Sequence, residues 1–176
     1  MPAVLVPVAV GVGIYLFGVH HTPVYDNGFF GDHGSAAVDL KARLGTALLA
    51  LALVQVGLAL WMYGRVPGVR AAPRPVRPGH RAIGFLAFLL SLPIAYHCLT
   101  TYGIETTSAR VAVHSFAGCV LYGAFVAKVI VVRSRRLPGW LLPVTGSLLV
   151  VCVALLWYTA ALWALNGDAV PGFATP

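Results

Sequence analysis

Charge is scarce in this sequence. Only 10% of its 176 residues are charged, five of them acidic, while 59% are hydrophobic. A soluble domain averages roughly 25% charged and 45–50% apolar residues. A water-soluble globule built from this chain would expose a large apolar surplus and aggregate, so soluble enzymes and disordered chains are excluded, and an integral membrane protein is implied. The twelve basic residues sit at the ends of apolar runs and form no aromatic-interleaved patch, so nucleic acid is not a partner. Cysteine is also sparse. Cys98, Cys119 and Cys152 lie inside apolar runs without CxxC or finger spacing and read as small buried residues. There is no Ser-His-Asp arrangement, Walker loop, HExxH or Rossmann glycine pattern. Hydrolysis, phosphoryl transfer and hydride transfer from a dinucleotide thus lack support.

What is present is a series of long apolar runs. A bilayer core about 30 Å thick needs about 20 residues at 1.5 Å each. Five stretches qualify: roughly 3–19, 44–63, 82–102, 111–132 and 140–165. The first lacks the basic start of a secretory signal and ends in His20-His21 instead of a small-residue cleavage site, so it reads as a retained span. The fold class expected is therefore all-α, a single domain over 1–176 made of five transmembrane helices.

Orientation follows from the distribution of the basic residues. Arg65, Arg70, Arg74, Arg77, Arg81, Lys128, Arg133, Arg135 and Arg136 fall at one end of the runs with no acid among them. Asp26, Asp32, Asp39, Glu105 and Asp168 fall at the other, with Lys41, Arg43 and Arg110. The positive-inside rule then puts the N-terminus in the cytoplasm and the C-terminus outside, in a bacterial plasma membrane. Pro73, Pro75 and Pro78 make 64–81 read as an extended, solvated strap touching lipid headgroups. Trp61, Tyr63, Trp140, Tyr158 and Trp163 read as an aromatic belt, and Gln55 as an interhelical hydrogen-bonding residue.

In that frame the histidines carry the functional argument. His97 stands 16 residues beyond Arg81, and His114 stands 14 before Lys128. At the helical rise these are about 24 and 21 Å, so both imidazoles sit at nearly one level, just below the outer surface. Ionisable groups at such depth are functional candidates by default. Arg110, His114 and Gly118 follow at i, i+4 and i+8, one stripe on one helix face. From the surface inward, this supplies a cation for propionates, an imidazole for iron and a position without a side chain where a macrocycle can lie. The expected cofactor is one haem b near the outer side. His97 and His114 would be its axial ligands, and Arg110, with Lys41 or Arg43, its propionate partners. Because spans three and four are sequence neighbours, this pairing needs the two helices to splay, for which Pro93 offers a kink, or else His20 or His21 substitutes for one ligand.

Other readings stand beside this one. His97 and His114 also suit an interhelical hydrogen-bonded pair with Tyr96, Tyr122, Thr100 or Ser115, or proton transfer, or divalent-metal binding. His20, His21 and His33, with Asp26, Asp32 and Asp39, suit a solvated outer loop or a copper or zinc site. His80 repeats the His-x3-Gly element with Gly84 at the inner side, with Met62 as the one conceivable haem partner. Interfacial anchoring explains it better, and no second haem is expected there.

The segments HRAIG (80–84), SLPIAYHC (91–98), RVAVHSFAGC (110–119), YGAFVAK (122–128) and RLPGWLLP (136–143), with LKARLGTA (40–47) and QVGLALWMYGR (55–65) upstream, carry a resemblance. Together they resemble a family of small multi-span membrane proteins from actinobacteria known as a domain of unknown function, which implies no reaction. At a coarser level, histidines near the ends of a helical bundle resemble cytochrome b561-like haem-b proteins. Those place one ligand on each of four helices, whereas spans two and five here hold no histidine. The expectation is an electron-transfer subunit of a larger membrane complex, working with a quinone or an extracytoplasmic redox protein in contact with membrane lipid. The alternatives are a non-redox scaffold or a metal-handling protein.

Overall fold

The computed structural model describes residues 2–69, 72–134 and 136–173, and so Arg70 and Arg135, two of the expected basic-end residues, lie outside the described residues. Five helices follow one another: α1 Pro2–His20, α2 Gly34–Met62, α3 Val76–Thr101, α4 Ala109–Arg133 and α5 Leu141–Leu165. Within α5, the stretch Trp157–Leu162 is π-helical. Among the described residues there is no strand, only an isolated bridge between Phe29 and Asp32. Helices α2 to α5 are each long and apolar enough to cross a membrane, which marks a multi-pass membrane protein. α1 is the shorter apolar helix.

Two boundaries differ from the periodicity reading. α2 begins at Gly34, ten residues before the apolar run, because SAAVDLKA (35–42) is made largely of good helix formers. Its 29 residues reach about 43 Å, so Asp39, Lys41 and Arg43 ride on a rigid extension of the span and not in a loop. α3 begins at Val76, inside what reads as an extended strap. Its first turn tolerates Pro78 because an amide there has no intrahelical partner to lose. α4 is capped by Ser108, whose hydroxyl accepts from Val111 N at 3.3 Å.

The helices pack in the order α1–α4–α5–α2–α3. α1 runs antiparallel to α4 at close range. A Cβ on Gly123 would lie 2.9 Å from Pro7 O, one on Gly11 would lie 3.2 Å from Cys119 O, and Tyr15 stacks on Phe116 at 5.9 Å. These pairs advance in step, so the missing side chains let two backbones touch along most of the contact. The central core is small: Leu48, Ala52, Leu121, Cys152 and Val153. Large apolar side chains such as Leu5, Val12, Phe85, Leu89 and Val151 are exposed instead, as a lipid-facing surface requires.

α3 and α4, though consecutive, are not packed backbone to backbone. Phe88 stacks on Phe125 at 4.2 Å, and the Tyr122 hydroxyl donates to Ser91 O at 3.1 Å. Beyond these rings, toward the end of the bundle that holds the acids, the two helices border a cavity.

Candidate functional site

The cavity has a volume of about 430 Å³ and takes lining residues from all five helices and from the 102–105 turn. That volume falls in the range of small-molecule and cofactor sites, about 300–1,000 Å³. Tyr122 and Ser91 lie at its inner end, apolar side chains such as Ile94, Leu99 and Leu156 form its walls, and its charged residues are Lys41, Glu105 and Arg110.

His114 lines this cavity from α4. Its Nδ1 lies 3.0 Å from the hydroxyl of Thr159 on α5. That hydroxyl donates its own proton to Leu155 O at 2.6 Å, so it accepts from Nδ1–H. The neutral ring is thereby held in the tautomer whose Nε2 carries the free lone pair, the arrangement a metal-ligating imidazole needs. Thr159 is fully buried in the π-helical stretch, and its carbonyl accepts from Arg110 Nη1 at 2.6 Å. One residue thus orients both the imidazole and the guanidinium. π-Helical turns recur at functional sites because they redirect backbone and side chain together.

Arg110 lies one turn above His114, its guanidinium 4.0 Å over the Trp163 ring, where it retains donors beyond the one given to Thr159. Lys41, projecting from the α2 extension, faces the same cavity and lies 4.5 Å over the Tyr102 ring. Below His114, a Cβ on Gly118 would meet only Leu156 Cδ2 at 3.9 Å, which leaves that wall flat. The stripe Arg110–His114–Gly118 and Lys41 therefore converge on one cavity. Arg43 does not; it is exposed and absent from the lining.

His97 also lies elsewhere. It is buried at 5% exposure but is not a lining residue. The Lys41 ammonium donates to its Nδ1 at 3.3 Å, which makes Nε2 the protonated nitrogen, and Nε2–H donates to Asn27 O at 3.0 Å. Phe29 packs edge-on against the ring at 5.0 Å. His97 anchors the 21–33 loop over α3, with both nitrogens committed. The expected facing of His97 and His114 across one iron therefore has no counterpart in this geometry. The next residue, Cys98, reaches the cavity in its place.

The weaker candidates are dispersed. His20 donates back to Leu16 O at 2.8 Å, His21 bonds Thr100 O at 3.3 Å, and His33 bonds Asp26 O at 3.1 Å. Among the described residues no group of three or more His, Cys, Asp or Glu side chains is placed to hold a metal ion. At the opposite end, His80 Nδ1 is buried without a hydrogen-bond partner, and its carbonyl accepts from Gln55 at 2.6 Å. Neither His80 nor Met62 lines the cavity.

Three participants were not foreseen. Thr159 is one hydroxyl in an apolar run, and only the π-turn gives it its position. Glu105 and Tyr25 also line the cavity and pair with each other, the phenol donating to Oε1 at 3.2 Å. This hydrogen bond and the nearby negative charge raise the Tyr25 phenol above its ordinary value, so it remains a donor to Glu105 through neutral pH.

A family model described as a family of unknown function, DUF6529, matches residues 1–172. The chain belongs to that family. No curated protein and no solved structure matches, so the likeness to cytochrome b561 bundles has no relative behind it.

Proposed function

We propose that this protein is a multi-pass plasma-membrane haem-b subunit of an electron-transfer chain, with five spans, a cytoplasmic N-terminus and an extracytoplasmic C-terminus. The observation that carries this reading is the cavity within the five-helix bundle, into which His114 offers an imidazole already fixed in the ligating tautomer. The residues fit one haem on the His114 side. His114 Nε2 would hold the iron, Arg110 and Lys41 the propionates, and the open wall at Gly118 the edge of the ring. His97 is dropped as a ligand, because its nitrogens are spent on Lys41 and the outer loop. When bound, haem supplies a one-electron carrier. The chain's own residues orient the imidazole, balance the carboxylates and exclude water. A quinone or an outer redox protein would be the exchange partner.

A second reading rests on the same hydrogen bonds. His114–Thr159 joins α4 to α5, and His97–Asn27 joins α3 to the outer loop, as in a scaffold whose histidines knit helices. Spectroscopy of the purified, folded protein separates the two. Dithionite reduction should give the red-shifted Soret and single broad visible band of a haem b held by one imidazole, at one haem per chain, and carbon monoxide should then sharpen the Soret band. A folded but colourless preparation from haem-replete cells overturns the haem reading and leaves the scaffold.

A further inference from the structure

A second hollow lies at the other end of the bundle. It measures about 480 Å³ and is lined by Ala72, Pro73, Arg74, Arg77, Pro78 and Arg81, where the chain enters α3. Val76 N bonds Pro73 O at 3.1 Å and Gly79 N bonds Pro75 O at 3.0 Å, so the turn runs straight into the helix. The guanidiniums recur at i, i+3 and i+7 and share one hollow. All three arginines are exposed, and every Asp and Glu lies at the opposite end of the helices, so among the described residues no carboxylate neutralises them. Pro73, Pro75 and Pro78 fix φ at three of six consecutive positions, so the backbone that carries the arginines has little freedom to lose on binding.

Depth identifies the ligand. The hollow sits at the end of the bundle where α2 finishes with Trp61 and Tyr63, α4 with Arg133, and α5 starts beside Trp140. Aromatic and basic residues at helix ends mark the headgroup level of a bilayer. Three fork-shaped guanidiniums at that level match the oxygens of a phosphodiester. A basic surface there also lies within reach of anionic lipid.

We propose that this hollow is a binding site for the phosphate headgroup of an anionic phospholipid, with Arg74, Arg77 and Arg81 as its ligands. Each basic residue near an anionic surface contributes about 1 kcal/mol, or roughly a factor of five, so three together predict a preference on the order of a hundredfold over a zwitterionic lipid. The test uses the full chain, delipidated in a neutral detergent and titrated with phosphatidylglycerol or phosphatidylcholine while thermal unfolding is followed. Phosphatidylglycerol should raise the melting temperature at about a hundredfold lower concentration than phosphatidylcholine. R74Q/R77Q/R81Q should abolish that difference, whereas R65Q/R133Q, which removes charge at the same end outside the hollow, should retain it. If the triple variant does not fold, R77Q alone should lower the preference about fivefold. Equal response to the two lipids, a triple variant that keeps its preference, or full reproduction of the effect by millimolar inorganic phosphate would each overturn the proposal, the last assigning the hollow to a free anion.

Discussion

His114 and Thr159 act as one unit, and their substitutions should be distinguishable. His114→Ala should remove the haem spectrum and bound haem from a protein that still folds. Thr159→Val keeps the shape but withdraws the acceptor that fixes the ring; it should weaken haem retention about 10- to 100-fold, the usual effect of losing such a support, measured by haem transfer to apomyoglobin. His97→Ala should leave haem content unchanged yet cost about 1–3 kcal/mol by leaving the Asn27 carbonyl without its donor, read as a lower melting temperature and faster amide exchange over 22–33. Spacing alone makes the Arg110–His114–Gly118 stripe legible, because i and i+4 positions share a face whatever the helix packs against. His97 illustrates where such reading stops. Helical rise says how far along α3 it lies, but one residue is about 100° of rotation, and only the packing of α3 on α2 decides that Cys98 faces the cavity while His97 meets the 21–33 loop.

At the scale of elements, apolar runs locate all five helices to within a few residues except at two polar ends. Those ends escape because hydropathy measures where lipid begins, whereas helix formation depends on backbone hydrogen bonding and propensity; α2 continues through Asp39, Lys41 and Arg43 because nothing there breaks it. The π-turn of α5 is likewise invisible, since WYTAAL contains no residue that demands it. The contact of α1 with α4 yields a firm expectation. Gly123→Val would drive a side chain into Pro7 O, which is backbone and cannot rotate away. It should cost about 1–3 kcal/mol or detach α1, seen as a lower melting temperature and new protease sensitivity near the N-terminus. Gly118→Ala, whose Cβ would meet only Leu156 Cδ2 at an ordinary contact distance of 3.9 Å, should melt no lower than the parent.

For the whole molecule, the asymmetry of charge is the property to test. With Cys98, Cys119 and Cys152 replaced by serine or alanine, a membrane-impermeant maleimide added to intact cells should label Ala169→Cys and spare Ser134→Cys. The reverse pattern would invert the orientation drawn from the arginines. The class of molecule was legible from composition, because a chain this apolar has no other stable setting. The helix order was not. Short connections favour neighbouring pairs, yet α1 belongs with α4 and α3 stands away from α4, since small residues and a cavity override proximity in sequence.

That pairing bears on how the protein is made. More than a hundred residues separate Pro7 from Gly123, so α1 leaves the ribosome long before its partner exists. During synthesis the surface around Gly11 stays bare within the membrane, held by lipid or by an insertion factor until the fourth helix arrives. A nascent chain halted after Thr101 would therefore present an unmated first helix, and quality-control proteases would be expected to clear it.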